Sequence, residues 1–386
     1  MRIIVIGAVA AGTSAAAKAR RGDKDAEIVI YERDVDISYS GCGLPYFIGG
    51  RIESVQTIAP RDSAFFKKKY NVDVKIRHEV LNIDAEAGTV RVKDLETGDV
   101  FVDRYDKLVI ATGARPFMPP IPGIESNHVF PLRNVQNAIA IRNFIEQNKP
   151  KRAVVVGTGF IGFEVLENLI HHGIDVTIVE LADKITPNLD VDMALILKKL
   201  LLEKGIDVRT STSISSIEDH VVVCNDGAAL DADLVIMATG VRPNTRLAVE
   251  AGAELGESKA IRVNKSMQTS LKNVYACGDC IETYSSITGK GVYRPLGSTA
   301  NKTGRIAGDA ITGGPLTYKG NLPPDDLLLQ VKKDGFADRY LAQLLDVPEI
   351  DIRAKRIALG AGEAWEPVPV SGVEDAAYYF STYNAS

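Results

Sequence analysis

Short apolar runs separated by glycine turns and helical stretches dominate the first 240 or so positions of the chain. Arg2–Ile6 predicts a buried strand, the alanine-rich stretch that ends near Arg21 predicts a helix, and Glu27–Glu32 predicts a second strand. The same order returns where Arg152–Val156 leads through a helix to Ile174–Glu180. Apolar strands that alternate with helices are typical of parallel sheets covered on both faces, so we predict an α/β fold.

The region between these two strand–helix–strand units is more polar and predicts smaller elements. They are a charged helix from Asp62 to Tyr70, strands near residues 72–76, 89–93 and 99–103, and an apolar strand from Lys107 to Ala111.

The first unit carries a glycine turn, Gly7-Ala8-Val9-Ala10-Ala11-Gly12, between its strand and its helix. Gly7 permits a tight turn, Gly12 lets helix and strand pack closely, and helix N-terminal amides point at a pyrophosphate. Glu32 follows at the spacing of an acid that binds ribose hydroxyls. Val9 replaces the usual middle glycine, so an ordinary strand–helix turn is the alternative.

The second unit has all three glycines of a dinucleotide-binding turn, at Gly157, Gly159 and Gly162, and Glu180 ends its second strand. A carboxylate at this position binds a ribose 2′-hydroxyl and repels a 2′-phosphate. We therefore predict a nucleotide site that favours NADH over NADPH.

Three further strand ends carry glycines that let the backbone approach a cofactor. Ala111-Thr112-Gly113 is echoed by Ala238-Thr239-Gly240, and Gly278-Asp279 can direct a carboxylate at a ribityl hydroxyl. Cys277 and Cys280 flank that acid with the spacing of a dithiol or of half a metal site. Because no second pair completes a metal site, packing beside the cofactor is the favoured interpretation.

Cys42 lies between the two nucleotide units, in a stretch of glycines and hydroxyl residues that runs from Ser38 to Gly50. A lone cysteine usually packs as a small buried hydrophobe, which is the expected role of Cys224 at the end of an apolar strand. The flanking nucleotide motifs favour a redox role for Cys42 instead.

The amino-acid composition excludes several classes of protein. Of 386 residues, 45% are hydrophobic and 25% charged, and a net charge of −5 gives no argument for nucleic acid or an acidic membrane surface. No apolar run reaches transmembrane length, and the amino terminus enters a strand at once, so we expect neither a membrane span nor a signal peptide. Four scattered cysteines suit a reducing cytoplasm, and no metal cluster stands out.

Together these motifs resemble the pyridine nucleotide–disulfide oxidoreductases over residues 1–315. The resemblance implies two Rossmann-like dinucleotide-binding domains. Residues 1–116 and 246–315 would form a discontinuous FAD-binding domain, and residues 117–245 an inserted NAD(P)H-binding domain.

The sequence around Cys42 resembles the single-cysteine branch, which comprises coenzyme A disulfide reductases, persulfide reductases and NADH oxidases. Pro45-Tyr46 and Val9 resemble the coenzyme A disulfide reductases most closely. The resemblance implies an FAD-dependent NAD(P)H enzyme that reduces a disulfide or persulfide through Cys42. Tyr46 is proposed as a proton donor because it lies close in the sequence.

The resemblance also implies binding residues. Those expected to bind FAD or NADH (NADPH being possible) are Gly7, Ala8, Ala10, Gly12, Glu32, Arg33, Ala111, Thr112, Gly113, Gly157, Gly159, Gly162, Glu164, Glu180, Gly240, Gly278, Asp279 and Asn301. Those expected to contact coenzyme A are Ser14, Lys18, Arg21 and Ser38, while Gly41 replaces an asparagine common in that branch.

Three alternatives stay open. An NADH oxidase or peroxidase would cycle Cys42 through sulfenic acid. A reductase subunit would pass electrons to a protein docked on the carboxyl-terminal segment, and a redox-sensing adaptor would catalyse nothing.

Residues 316–386 depart from the family, whose usual dimerisation domain is not recognisable there. Asp334–Leu341 and Ala377–Tyr383 resemble the helical oligomerisation segment of the carbamoyl-phosphate synthetase large chain. We therefore expect a mostly helical segment that mediates homo-oligomerisation or binds a protein partner. A helical cap over the flavin domain is the alternative.

Overall fold

The computed structural model describes residues 1–187, 189–285, 289–318, 350, 353, 364–369 and 377–382. Two compact units divide the chain. The first comprises Met1–Pro187, Leu195–Thr283 and Val292–Tyr318, and the second comprises Asn188–Ala194, Tyr284–Gly291 and Lys319–Ser386.

The helices in chain order are α1 (Ala10–Gly22), α2 (Leu44–Ile48), α3 (Val55–Ile58), α4 (Ser63–Tyr70), α5 (Val135–Asn148), α6 (Phe160–His171), α7 (Val191–Glu203), α8 (Arg246–Glu250) and α9 (Gly297–Ile311). A 3₁₀ turn at Gly41–Gly43 leads directly into α2.

The strands are β1 (Arg2–Ile6), β2 (Glu27–Tyr31), β3 (Asp73–Lys75), β4 (His78–Asp84), β5 (Thr89–Asp94), β6 (Val100–Arg104), β7 (Lys107–Ile110), β8 (Ala114–Pro116), β9 (Val129–Pro131), β10 (Arg152–Val156), β11 (Asp175–Val179), β12 (Asp207–Arg209), β13 (Ile214–Glu218), β14 (Val221–Cys224), β15 (Ala229–Asp231), β16 (Leu234–Met237), β17 (Val241–Pro243), β18 (Ile261–Arg262), β19 (Val274–Ala276), β20 (Ile281–Tyr284), β21 (Gly291–Val292), β22 (Ala364–Pro369) and β23 (Ala377–Thr382).

Two five-stranded parallel sheets form the frame of the first compact unit. The first sheet has the order β19-β7-β1-β2-β3, and the second has the order β12-β11-β10-β16-β9. Their central strands, β1 and β10, are apolar and almost fully buried. On one face of the second sheet, the core includes residues of β13, β14 and β15. The predicted α/β fold with two Rossmann-like halves is confirmed.

Smaller antiparallel sheets accompany the frame. They are β4-β5-β6, β13-β14-β15 and the two-stranded ribbon of β8 with β17. Since β8 follows β7 of the first sheet and β17 follows β16 of the second, this ribbon is the direct link between the two halves.

Most predicted elements occupy the expected positions, although several observed elements, among them α5, α7 and β13, were not predicted. Glu32, Ala111 and Glu180 lie one residue beyond their strands, at the carboxyl edges of the sheets. Strand β4 was not predicted, because its pairing with β5 shifts register between Val80 and Asn82 and breaks the regular alternation of apolar positions.

Helix α1 packs against α9 through glycines that have no room for a side chain. A Cβ atom on Gly304 would overlap the carbonyl oxygen of Ala11, and one on Gly308 would overlap that of Ala15. Lys18 of α1 also pairs with Asp309 of α9 at 2.8 Å. The two helices therefore pack backbone to backbone, and this contact fixes the position of α1, the helix that follows the first glycine turn.

Two described stretches of the carboxyl-terminal segment differ from the expected helix. β22 and β23 form an antiparallel hairpin that pairs Ala364 with Thr382. The run Ala-Tyr-Tyr-Phe-Ser-Thr of β23 is rich in aromatic residues and ends in threonine, a composition that favours strands. Asp334–Leu341 lies outside the described residues.

Among the described residues, no helix combines the length and the apolar character that crossing a bilayer requires.

The α1–α9 contact predicts that Gly308→Ala destabilises the protein, although alanine is the better helix former by about 1 kcal/mol. The overlap with the Ala15 carbonyl costs about 2–3 kcal/mol, which leaves a net loss of about 1–2 kcal/mol, and we expect the thermal midpoint to fall by a few degrees in circular dichroism melting. Gly297→Ala in the same helix is the control, because no atom lies within 4 Å of its added Cβ. A midpoint for Gly308→Ala at or above the wild-type value would contradict this packing.

Candidate functional site

The first glycine turn follows β1 and is held by a buried carboxylate. Gly7 has φ +105°, and a Cβ there would overlap the carbonyl oxygen of Ala111. The amides of Ala8 and Asp34 donate to the two oxygens of Glu32, at 2.7 and 2.9 Å. Burial raises the pKa of Glu32, and these backbone hydrogen bonds partly offset the rise.

The second glycine turn, after β10, repeats this arrangement. Gly157 also has φ +105°, and its Cβ would overlap the carbonyl oxygen of Ala238. Glu180 accepts from the amides of Thr158 and Ala182, both at 2.9 Å. In each turn, therefore, an acid from the neighbouring strand end binds the amide that follows the first glycine.

The close approaches inside each turn involve the last glycine as well. A Cβ on Gly12 would overlap the carbonyl oxygen of Gly7, and one on Gly162 would overlap that of Gly157. Gly159, in contrast, has no atom within 4 Å of its would-be Cβ. The second turn is consequently open on the side where Gly159 precedes α6, which is the side that a phosphate group would occupy.

Parallel topology brings a third group of predicted residues to the same edge of the first sheet. Thr112 and Gly113 follow β7, and Gly278 and Asp279 follow β19. Gly278 has φ +81°, and its Cβ would lie 2.6 Å from that of Ala11. The helix after the first glycine turn and the Gly-Asp turn are thus in contact.

Asp279 is held on one oxygen only. Its Oδ2 accepts from Nη2 of Arg133 at 2.9 Å, while its Oδ1 is buried and has no hydrogen-bond partner among the described residues. Arg133 also donates to the carbonyl of Ala114. Sequence reasoning missed Arg133, because only the folded topology brings it to a residue so distant in the chain.

The remaining predicted cofactor residues are placed as follows. Ala10, Ala111 and Glu164 are half-buried, whereas Arg33, Gly240 and Asn301 are exposed. Burial and the neighbouring Glu167 raise the pKa of Glu164. The hydroxyl of Thr112 donates to the carbonyl of Asn244 at 2.6 Å. Because Asn244 directly follows β17, this bond joins the end of β7 to the end of the β8–β17 ribbon.

Cys42 is an exposed free thiol in the 3₁₀ turn before α2. The amide of Ser38 donates to the carbonyl of Ala8 at 2.9 Å, which ties the cysteine loop to the first glycine turn. Tyr46 lies four residues after Cys42, as the third residue of α2. The Arg51 guanidinium lies 5.9 Å from the centre of the Tyr46 ring.

The other three cysteines are buried. Burial raises the pKa of Cys280 to about 11 and that of Cys277 well above its ordinary value. Cys224 belongs to the apolar core behind the second sheet, as predicted. Among the described residues, no group of three or more histidine, cysteine or acidic side chains is arranged to hold a metal ion.

A cavity of about 290 Å³ opens beside α1 and α9. Its lining combines three arginines with polar and aromatic side chains: Thr13, Ser14, Ala17, Arg21, Arg61, Phe65, Phe66, Tyr70, Asn301 and Arg305. Ser14 and Arg21, predicted to bind substrate, line it, whereas Lys18 pairs with Asp309 and Ser38 lies elsewhere. Sequence reasoning missed Arg61 and Arg305, which come from separate elements.

Comparisons with known proteins agree with this arrangement. A family model described as pyridine nucleotide-disulphide oxidoreductase matches residues 1–296. A protein of Methanocaldococcus jannaschii named NADH oxidase is 42% identical over 317 residues, which are 81% of this chain and 70% of that protein. A coenzyme A disulfide reductase of Staphylococcus haemolyticus is 35% identical over 322 residues, covering 83% of this chain and 72% of that protein.

A solved structure is similar over the same region. It is that of an NAD-dependent persulfide reductase from A. fulgidus, which superposes with a TM-score of 0.80 at 42% identity. The match covers 83% of this chain but 61% of that one, which is less than two thirds of its length.

The burial of the cysteines predicts that one thiol of the four reacts in the native state. After reduction and removal of the reductant, an aromatic disulfide reagent should label one cysteine per chain, and denaturation should raise the count to four. Cys42→Ser should abolish native labelling. Labelling of two or more cysteines in the native protein, at a rate similar to that of Cys42, would show that a second cysteine is accessible.

Proposed function

The chain belongs to the pyridine nucleotide-disulphide oxidoreductase family, and we propose that it is an FAD-dependent NAD(P)H oxidoreductase that reduces a disulfide or persulfide through Cys42. The observation that carries the proposal is the position of Cys42. It is the exposed thiol among four cysteines, and its loop is tied to the first glycine turn through Ser38 and Ala8.

FAD fits the residues around the first sheet. The first glycine turn would receive its pyrophosphate, Glu32 its adenosine ribose and Asp279 its ribityl chain. The buried, unpartnered Oδ1 of Asp279 supports this assignment, since such an oxygen is costly unless a ligand donates to it. When bound, FAD would accept two electrons from the nicotinamide and make them available to sulfur.

The second turn suits the reduced nucleotide. Glu180 would bind a ribose 2′-hydroxyl, and the next residue, Leu181, is an apolar side chain that is 74% exposed. A 2′-phosphate would meet a carboxylate there and no cation at position 181. NADH is therefore the proposed donor, with NADPH as the weaker one.

The residues near Cys42 would carry the sulfur chemistry. The Cys42 thiolate attacks one sulfur of the incoming disulfide, expels one thiol and retains the other as a mixed disulfide. Two electrons and a proton from NADH cleave that bond, and a solvent proton completes the first thiol. In total, NADH, H⁺ and RSSR give NAD⁺ and two RSH. The Tyr46 hydroxyl, four residues after Cys42 in the sequence, is the proposed group that passes this solvent proton to the departing sulfur.

Coenzyme A is the proposed thiol partner. Its phosphates carry several negative charges, and the cavity beside α1 offers the arginines Arg21, Arg61 and Arg305. Ser14 and Arg21 support this role more directly than Lys18, whose ammonium pairs with Asp309. A bound coenzyme A would act as the second thiol, which explains how a single cysteine suffices.

An NADH oxidase or peroxidase is the second candidate. An exposed thiolate can cycle through sulfenic acid, and the similar protein of M. jannaschii is named NADH oxidase. Binding of a second copy or a protein partner through residues 316–386 is also proposed, as is a cytoplasmic location, which suits four free cysteines.

The reductase proposal predicts rapid anaerobic oxidation of NADH when coenzyme A disulfide is present. Cys42→Ser should lower that turnover by about a hundredfold or more, because the attacking sulfur is lost. The matched control is flavin reduction by NADH in the same variant, which should persist. Flavin reduction without disulfide turnover in the wild-type protein would exclude the proposal, and oxygen consumption would then favour the oxidase.

The coenzyme A proposal predicts a selective defect in Arg305→Met, which keeps the side-chain volume and removes its charge. We expect KM for coenzyme A disulfide to rise about tenfold or more, since a charge-assisted hydrogen bond contributes roughly 1.5–3 kcal/mol. KM for hydroxyethyl disulfide, which lacks phosphates, should not change. Arg262→Met, on an exposed arginine outside the cavity, is the control. Equal effects on both disulfides would contradict the assignment.

A further inference from the structure

Helix α2, which begins two residues after Cys42, is enclosed by helices that flank the second sheet. Four of its five residues, Leu44, Pro45, Phe47 and Ile48, are buried. Its neighbours include α5 and α6, and α6 directly follows the second glycine turn. The element that carries the sulfur in the first half therefore rests on the second half.

Gly49, the residue that follows α2, lies against α6. A Cβ there would overlap the side chain of Asn168, whose Cγ would lie 2.7 Å away. Asn168 is fully buried, and its Nδ2 donates to the carbonyl of Glu164 within α6. Its Oδ1 has no hydrogen-bond partner among the described residues and faces the Gly49 backbone.

Two more side chains of the second half hold the carboxyl end of α2. The Nη1 atom of Arg142 lies 3.2–3.4 Å from the carbonyls of Phe47, Ile52 and Glu53, and its guanidinium covers the Phe47 ring at 4.7 Å. Nε2 of His172 is 2.8 Å from the carbonyl of Ile48, so that nitrogen is the donor. The bond from His172 satisfies the carbonyl of the last residue of α2, and those from Arg142 link the end of α2 to the loop that follows it.

We propose that Asn168, with Arg142 and His172, positions Cys42 from the nucleotide-binding half of the protein. The proposal rests on the redox role of Cys42 proposed above. Helix α6 spans 12 residues, or about 18 Å, and carries the second glycine turn at one end and Asn168 towards the other. One rigid helix thus sets the position of the sulfur relative to the site proposed for NADH.

Gly49→Ala tests this directly, because Gly49 has φ −72° and alanine strains no backbone there. The three atoms nearest to the added Cβ all belong to the Asn168 side chain, so the overlap with Asn168 is what opposes the substitution. We expect kcat for disulfide reduction to fall about tenfold or more, since displacement of a reacting group by about 1 Å can cost a hundredfold. KM for NADH and the rate of flavin reduction should stay within about twofold.

The rescue variant is Gly49→Ala/Asn168→Ala, which removes the overlapping side chain. Its kcat should return to within about threefold of that of Asn168→Ala alone. Hydrogen exchange of the backbone amides between Cys42 and Gly50 gives a second readout that does not depend on turnover. Exchange should rise several-fold in Gly49→Ala and fall back in the double variant.

Wild-type kcat in Gly49→Ala, or a double variant as slow as the single one, would overturn the proposal. If Gly49→Ala does not fold, the variants His172→Leu and His172→Gln provide the test instead. The leucine should lower kcat about fivefold and the glutamine, which keeps a donor, should restore it. If the wild-type protein reduces no disulfide, the proposed function is refuted but the positioning proposal is not. Hydrogen exchange still tests whether Asn168 fixes the backbone between Cys42 and Gly50.

Discussion

The fold depends on the close approach of backbone to backbone at two glycine turns. Gly7 lies against the carbonyl of Ala111, and Gly157 against that of Ala238, so that no side chain fits at either place. Each turn is completed by a buried acid that binds the next amide. Because a buried carboxylate is stable only when its oxygens accept hydrogen bonds, the turn and the neighbouring strand end stabilise each other. The rest of each sheet is arranged around that contact.

Sequence periodicity predicted the two parallel sheets because their strands are continuous apolar runs followed by glycine. It missed β4, where a register shift between Val80 and Asn82 interrupts the alternation. The expected helix over Ala377–Tyr383 came from a resemblance and not from periodicity, and Ala377–Thr382, with its aromatic and threonine content, forms a strand instead. The sequence pattern therefore predicted strands best where both faces of the strand are buried, because such strands require apolar residues at nearly every position.

The candidate site divides in the same way. Residues within the glycine turns were predictable because their spacing is local. Arg133, Arg61 and Arg305 were not, since each meets its neighbours only through the fold. Lys18 shows the converse: it lies at a predicted binding position, yet its ammonium pairs with Asp309. The binding roles of all these residues stay predictions.

The exposure of Cys42, in contrast to the burial of Cys277 and Cys280, also bears on how readily the protein is damaged by oxidants. A thiolate that substrates can reach is equally open to peroxide, and oxidation beyond sulfenic acid is irreversible without a dedicated repair enzyme. Cys277 and Cys280 are sheltered from that damage by burial. A mixed disulfide on Cys42 would act as a removable protecting group between turnovers. The working lifetime of the protein would then depend on the fraction of molecules in which Cys42 carries that disulfide.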